Sequence, residues 1–180
     1  MFEKVSLDTW LKSKITVGEN IGMTLLGIES FYDTFMDEES YNNIIIPTRS
    51  TTHSAGYDFR IPFPLTVEPN TKYTIPLGIK CNLSDIKGIS DPTKLFLSLY
   101  PRSSFGFKYG FRLNNTVGII DYDYYNNEDN EGNILIDFVC SRKLELKVGD
   151  KICQGIITPY YTFDDVVNNK RTGGIGSTGK

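Results

Sequence analysis

Histidine and cysteine, which supply many metal-binding and nucleophilic sites, are scarce: the 180 residues include one histidine and three cysteines. A Ser-His-Asp triad or a zinc-dependent deaminase site needs a histidine or cysteine set beside suitable partners, and His53 has no such companions in the sequence. Cys81, Cys140 and Cys153 are odd in number and far apart. They are therefore predicted to be reduced thiols, not a disulfide or zinc framework.

Long hydrophobic runs and an excess of positive charge are also missing. No run approaches the ~18 apolar residues of a membrane span, and the N-terminus carries charges throughout, which argues against a secretion signal. The formal net charge is −3, which argues against general nucleic-acid binding but not against binding one nucleotide through a few cations. We expect a cytoplasmic protein that binds no membrane, or one inside a host cell if the gene is viral.

The sequence does contain apolar and polar residues that alternate with a period of two. Three leucines share one face of a predicted strand at residues 95–100, and residues 143–147 alternate strictly before a turn at Gly149 and Asp150. Further strands are predicted at residues 72–80, 134–139 and 152–157. Because proline and glycine interrupt these runs at short intervals, we expect an all-β sandwich or jelly roll.

The beginning of the chain departs from this pattern. Residues 1–43 are predicted to form an N-terminal extension that is partly helical or irregular, with Ser6 or Asp8 as the cap of a short helix. Residues 27–41 are compatible either with a second helix or with a strand and a loop. The β domain is expected to follow at residues 44–166.

Five short stretches point to a nucleotide site. In chain order they read SAGYDF (54–59), PRSSFG (101–106), NTVGIIDYDY (115–124), GDKICQ (149–154) and RTGGIGSTG (171–179). Together they resemble the five motifs of the trimeric dUTPases (dUTP diphosphatases), and the third and fifth are the most specific. The resemblance implies a distorted jelly roll that assembles into a homotrimer with shared active sites. It also implies that dUTP is hydrolysed to dUMP and pyrophosphate with Mg²⁺.

The resemblance assigns the catalytic role to Asp121 in the third motif. Hydrolysis at the α-phosphorus needs a water that is oriented in line and partly deprotonated, and a carboxylate within hydrogen-bond reach can do this. Asp123, two residues further on, is expected to be structural.

The second and fourth motifs are expected to bind the phosphates. Arg102 suits bidentate contact with a phosphate because its donors form a fixed fork. Ser103 and Ser104 can donate hydrogen bonds to phosphate oxygens, and the resemblance adds Gln154. Magnesium prefers phosphate oxygens and retained waters over a full protein cage, so the resemblance has Asp58 act on it through coordinated water.

The third motif is expected to select the base and the sugar. By resemblance, Asn115 and the backbone of Gly118, Ile119 and Ile120 face the uracil edge, an arrangement that rejects cytosine because donors would then meet donors. Tyr124 is expected to pack against the deoxyribose, with a core aromatic as the alternative.

Residues 167–180 are rich in glycine, serine, threonine and cations, which is typical of a flexible C-terminal arm. The resemblance implies that this arm closes over the triphosphate of a neighbouring chain's site. The arm residues expected to contact the nucleotide are Arg171, Gly174, Ile175, Gly176 and Ser177. An aromatic residue usually stacks on the uracil from the arm, and Ile175 replaces it here. Stacking of this kind is typically worth ~1–3 kcal/mol per base, so we expect weaker ordering of the arm.

Two segments are longer than a minimal family member needs: the extension before Pro47 and the insertion at residues 125–132. The insertion is predicted to be an exposed loop near the pocket mouth, and either segment could bind a protein partner. Two alternatives to the hydrolase therefore stay open. One is a regulatory protein of dUTPase fold that binds nucleotide as a signal. The other is an enzyme related to dCTP deaminase, for which no matching glutamate-centred motif is present.

Overall fold

A computed structural model describes residues 1–17, 35–163 and Gly173, and strands dominate these ranges. Strands β1 to β13 span Phe2–Lys4, Thr16–Val17, Thr48–Arg49, Tyr57–Arg60, Leu65–Val67, Lys72–Pro76, Ile79–Cys81, Leu95–Pro101, Arg112–Leu113, Gly118–Ile120, Leu135–Val139, Leu144–Leu146 and Lys151–Pro159. Helices α1, α2 and α3 span Leu7–Lys12, Glu38–Asn42 and Ser103–Tyr109. Short 3-10 helices span Leu83–Asp85, Pro92–Lys94 and Tyr122–Tyr124. Within the described ranges, no helix has the length and apolar character to cross a membrane.

The strands form antiparallel sheets. One sheet has five strands in the order β10-β8-β13-β4-β3, and another has four in the order β2-β6-β11-β9. Two ribbons, β1-β7 and β12-β5, complete the described sheets. The alternation seen in the sequence matches the burial: Leu95, Leu97 and Leu99 of β8 are each at most 2% exposed. The prediction of an all-β fold is therefore confirmed.

The single strand predicted at residues 72–80 is wrong, because the chain bends after Pro76. Gly78 has a φ of +68°, and a Cβ at this position would lie 2.4 Å from Cδ1 of Ile44. The bend therefore needs glycine. It separates β6, which pairs with β11, from β7, which pairs with β1.

The described part of the predicted extension is built into this domain. Strand β1 pairs with β7 and β2 pairs with β6. Ser6 is the N-cap of α1, since its hydroxyl accepts a hydrogen bond from the Thr9 amide at 3.2 Å. Of the ambiguous residues 27–41, those up to 34 lie outside the described ranges, and Glu38–Asn42 is helical with Asp37 as its cap.

Truncation of Trp10 is expected to be strongly destabilising. The indole is fully buried, its ring centroid lies 6.3 Å from that of Phe63, and its Nε1 donates to Ser40 Oγ at 3.0 Å. Trp10→Ala should therefore lower the free energy of unfolding by about 3–5 kcal/mol, measured by urea titration. Leu11→Ala is the control on the same helix, because Leu11 is 45% exposed. If Trp10→Ala lowered the free energy of unfolding no more than Leu11→Ala does, this packing would be contradicted.

The 125–132 insertion is tied to the N-terminal segment through Glu131. Its carboxylate accepts hydrogen bonds from the Ser6 amide at 2.9 Å and from Thr9 Oγ1 at 2.8 Å. It also pairs with Lys80 Nζ at 2.6 Å, and Lys80 is itself buried. Part of the insertion is exposed, as predicted, but Glu131 and its neighbours contact the rest of the chain.

Acid is expected to weaken the fold through Glu131. Burial alone would raise its pKa, but hydrogen bonds from Lys80, Ser6 and Thr9 outweigh burial and hold the pKa at about 2, below the ordinary 4.5. Because the folded pKa lies below the unfolded one, this stabilisation is present above pH 4.5 and is lost as the pH falls toward 2. Urea titrations across this pH range should show that the free energy of unfolding falls more steeply for the wild type than for Glu131→Gln. Equal slopes would contradict the assignment.

Candidate active site

The first four motifs are brought together on one sheet. Asp58 lies on β4, Gln154 lies on β13, and Arg102 follows the last residue of β8. The third motif supplies β10, on the other side of β8. Antiparallel pairing thus places four stretches that are distant in sequence on neighbouring strands.

Asp58 is the centre of an ionic cluster. Its Oδ2 accepts from Lys151 Nζ at 2.7 Å and from Ser50 Oγ at 2.6 Å, and Arg102 Nε lies 3.4 Å from Oδ1. The Asp58 residue is only 8% exposed, whereas the Arg102 side chain is 32% exposed. A buried carboxylate therefore anchors a cation that reaches the surface.

The electrostatics of the cluster keep Asp58 ionised. Burial alone would raise the pKa of this carboxyl, but the hydrogen bonds from Lys151 and Ser50 and the charges of Lys151 and Arg102 outweigh burial. The pKa of Asp58 is therefore lowered. Its carboxylate stays negative at neutral pH and can accept hydrogen bonds.

Two exposed serines stand beside Arg102. Ser103 and Ser104 are the first residues of α3, and Arg102 occupies the preceding N-cap position. The amides of these first two helical residues have no carbonyl four residues earlier within the helix to bond to. Hydroxyl and amide donors thus lie next to the guanidinium, an arrangement suited to an anion.

Gln154 is held between the first two motifs. It pairs in register with Asp58 on one side and with Tyr100 on the other. Its Nε2 donates to the carbonyl oxygen of Pro101 at 3.2 Å, directly before Arg102. A Cβ on Gly56 would lie 2.4 Å from Oε1 of Gln154, so the glycine of the first motif makes room for this amide.

The third motif presents backbone at an edge. In the described five-stranded sheet β10 is a terminal strand, paired with β8 through Gly118, Ile119 and Ile120. A terminal strand leaves one row of backbone donors and acceptors for a ligand or another chain. Asn115 is exposed in the preceding turn, and Ile119 is 52% exposed.

Asp121 and Tyr124 form the turn that follows β10. Asp121 is half-buried at the N-cap of the Tyr122–Tyr124 3-10 helix, and its carbonyl accepts from the Tyr124 amide at 3.1 Å. Tyr124 is 4% exposed, and its hydroxyl donates to the carbonyl oxygen of Asn133 at 3.0 Å. Its predicted contact with a sugar stays a prediction.

Within one chain, the third motif lies away from the cluster around Asp58. Ile120, next to Asp121, pairs with Leu97, and Arg102 lies five residues further along the same direction. At about 3.3 Å per residue, Ile120 lies about 16 Å from Arg102 along β8, and Asp121, one residue further, lies about 20 Å away. The structure therefore brings together Asp58, Arg102 and Gln154, but it does not bring Asp121 to them.

The comparisons with known proteins identify the family. A dUTPase family profile matches residues 42–179. The deoxyuridine 5′-triphosphate nucleotidohydrolase of Lactococcus lactis is 38% identical over 141 residues, which are 76% of this chain and 89% of that protein. The chain belongs to the dUTPase family. The nucleotidohydrolase of Hahella chejuensis is 33% identical over 156 residues, which are 80% of this chain and 93% of that protein.

Solved dUTPase structures share the fold. The crystal structure of the dUTPase from Streptococcus mutans aligns with a TM-score of 0.57 at 31% identity, over 69% of this chain and 91% of that chain. The dUTPase of phage phi11 of S. aureus aligns with a TM-score of 0.54 over 87% of this chain and 98% of that chain, at 19% identity. The second likeness concerns the fold alone. The prediction of a dUTPase-type jelly roll is thereby confirmed.

The sequence motifs did not predict two residues of the Asp58 cluster. Lys151 lies inside the fourth motif, and Ser50 lies just after β3. Lys151 had one signal in the sequence, since it is a cation inside the fourth motif, but its contact with Asp58 depends on strand pairing. Ser50 has no comparable signal, since serine in a turn is common.

The fifth motif of this dUTPase-family chain falls almost wholly outside the described residues. Gly173 is described and buried. Five residues predicted to contact the nucleotide lie outside the described ranges: Arg171, Gly174, Ile175, Gly176 and Ser177. Their roles stay predictions.

Proposed function

We propose that the chain hydrolyses dUTP to dUMP and pyrophosphate, with Asp121 as the general base. The observation that carries this proposal is the shared sheet, on which Asp58, Arg102 and Gln154 meet while the third motif occupies the terminal strand. Each chain therefore carries cations and donors at one end of β8 and backbone donors and acceptors at the other. A nucleoside triphosphate needs both kinds of surface, for its anionic tail and for the polar edges of its base.

The phosphates bind at the cluster around Arg102. The triphosphate carries about four negative charges, which must be met by cations and oriented donors. Arg102 uses Nε toward Asp58, and its guanidinium has further N–H donors for a phosphate. Ser103, Ser104 and Gln154 add neutral donors at the same place.

A magnesium ion fits this site when the nucleotide carries it. Among the described residues, no group of three or more His, Cys, Asp or Glu side chains is placed to hold a metal ion. Asp58 is kept ionised, and its Oδ1 is contacted by Arg102 at 3.4 Å, longer than an ordinary hydrogen bond. This oxygen can therefore accept from a metal-bound water. When bound, magnesium would neutralise phosphate charge during the reaction.

The base binds along the edge of β10 that faces away from β8. The backbone of Gly118, Ile119 and Ile120, together with Asn115, reads the uracil edge. A hydrogen-bonding site of this kind rejects cytosine, because exchange of a carbonyl for an amino group leaves buried donors unpaired. Tyr124 contacts the deoxyribose and excludes a 2′-hydroxyl.

The reaction is an attack by water on the α-phosphorus. The Asp121 carboxylate takes a proton from the water as its oxygen bonds to phosphorus. The bond from the α-phosphorus to the bridging oxygen breaks, and pyrophosphate leaves with the electron pair. Arg102 and the donors beside it stabilise the charge that develops on the phosphate oxygens.

The site is shared in a homotrimer. Within one chain, Asp121 and Arg102 lie at opposite ends of β8, six residues or about 20 Å apart along the strand. A neighbouring chain that turns its β10 edge toward the Arg102 end brings the two residues onto one nucleotide. The arm closes the site, with Arg171 on the γ-phosphate, Ser177 and the amides of Gly174 and Gly176 on the phosphates, and Ile175 over the base.

The proposal is tested by pyrophosphate release from dUTP, dCTP, dTTP and UTP with magnesium. We expect release from dUTP and background release from the other three. Comparable release from several nucleotides would replace the selective enzyme with a looser diphosphatase. No release, with dUTP still bound in a calorimetric titration, would favour the regulatory alternative.

A further inference from the structure

The insertion at residues 125–132 follows the third motif directly and is bound by the N-terminal segment, which we define as residues 1–17. Tyr125 donates its hydroxyl hydrogen bond to a Glu3 carboxylate oxygen at 2.9 Å. Directly after the insertion, Asn133 Nδ2 donates to Ser13 Oγ at 3.0 Å. The insertion therefore lies between the third motif and the N-terminal segment.

Glu131 completes the cap of helix α1 from a distant part of the sequence. A capping box is usually closed by a Glu or Gln three residues after the N-cap, which bonds to the N-cap amide. Here the N-cap is Ser6, and the residue three positions on is Thr9. The Glu131 carboxylate takes over that role, accepting from the Ser6 amide at 2.9 Å and from Thr9 Oγ1 at 2.8 Å.

The backbone at Glu131 is held in an unfavourable conformation. Its φ is +60°, in the left-handed region that is unfavourable for a non-glycine residue. Such conformations persist where surrounding contacts over-determine them. The second carboxylate oxygen supplies one such contact, a 2.6 Å ion pair with Lys80, and Lys80 also donates to Asn126 Oδ1 at 2.8 Å.

Inside the insertion, hydrogen bonds run directly to Tyr124. Asn130 Nδ2 donates to the Tyr124 hydroxyl, and Asn127 Nδ2 donates to the Tyr124 carbonyl, both at 2.9 Å. The chain passes so close that a Cβ on Gly132 would lie 2.8 Å from the same carbonyl oxygen. The Tyr124 amide in turn donates to the Asp121 carbonyl at 3.1 Å.

We propose that Glu131 is a positioning residue for the third motif. It fastens the insertion to helix α1, and the insertion holds the turn that carries Asp121 and Tyr124. The N-terminal segment thereby sets the position of that turn. This inference rests on the proposed function, because Tyr124 is the residue assigned to the sugar.

Loss of the carboxylate is expected to change substrate binding more than turnover. Glu131→Gln removes the ion pair with Lys80 and replaces one acceptor oxygen with a donor. We expect KM for dUTP to rise about tenfold, while kcat falls less than about threefold. KM should change more than kcat because the insertion bonds directly to Tyr124 but reaches Asp121 only through the turn.

Glu128→Gln is the matched control, since it removes the same charge from an exposed position on the same loop. Both variants are assayed well below their unfolding temperatures, so that a purely stabilising role leaves KM unchanged. Hydrogen exchange by NMR is measured alongside. We expect the Tyr124 and Asn126 amides to exchange faster in Glu131→Gln than in the wild type, with β6 and β11 unchanged.

The proposal is overturned if folded Glu131→Gln has the KM of Glu128→Gln and the same exchange rates at Tyr124 and Asn126. Faster exchange across the whole domain would also overturn it, because this would indicate general destabilisation. A wild-type protein without activity toward dUTP would defeat the proposed function. The exchange comparison would still test the mechanical link between Glu131 and the turn.

Discussion

Asp121→Asn is expected to lower the rate of pyrophosphate release from dUTP by about 10²–10⁴-fold. The amide is close to isosteric with the carboxylate but cannot take a proton from the attacking water. Affinity for dUTP should change little, because the base and phosphates are bound by other residues. The rate is measured with saturating dUTP and magnesium, and affinity is measured separately by calorimetry.

Glu128→Gln is again the control, with the same loss of charge seven residues further along the chain. Its activity should match that of the wild type. An Asp121→Asn protein that keeps more than about a tenth of wild-type turnover would assign the proton transfer to another group. A folded variant that no longer binds dUTP would place Asp121 in substrate binding instead.

Mixing two inactive variants is expected to restore activity. Arg102→Ala removes the principal phosphate cation and Asp121→Asn removes the base, so each variant alone should be inactive. In a cyclic trimer each site would combine Asp121 of one chain with Arg102 of its neighbour. After unfolding together and refolding, about a quarter of the sites should contain both intact residues, if chains assort at random.

The mixture should therefore recover about a quarter of wild-type activity, measured at equal total protein. Each variant refolded alone is the control, and a simple mixture without unfolding tests whether subunits exchange. A refolded mixture that stays inactive, although it contains mixed trimers by native mass spectrometry, would mean that one chain supplies both residues. That result would contradict the shared site.

The strands were predictable from sequence where a single face is buried. In Leu144–Leu146 both leucines are buried and Glu145 is exposed, so the period of two was visible in the sequence. The end of strand β6 before Gly78 could not be predicted in the same way. The requirement for glycine there depends on the Ile44 side chain, which lies 34 residues earlier in the chain and fills the space above the glycine.

The candidate site was predictable residue by residue but not in its arrangement. The family resemblance of the motifs indicated Arg102 and Gln154 as phosphate contacts and Asp58 as a contact to magnesium through water. Lys151 and Ser50 joined them through strand pairing and a turn. The role of Glu131 was also invisible, since the helix it caps lies more than a hundred residues earlier.

The family, the alternating strands and the residue types of the nucleotide site follow from the amino-acid sequence alone, because these depend on local order and spacing. Which of these residues meet follows from strand pairing. The register of β13 between β4 and β8 places Gln154 beside Asp58, and the register of β10 on β8 places Asp121 at the other end of the sheet. Register is a property of pairs of strands, and each strand's own sequence specifies only which of its faces is buried.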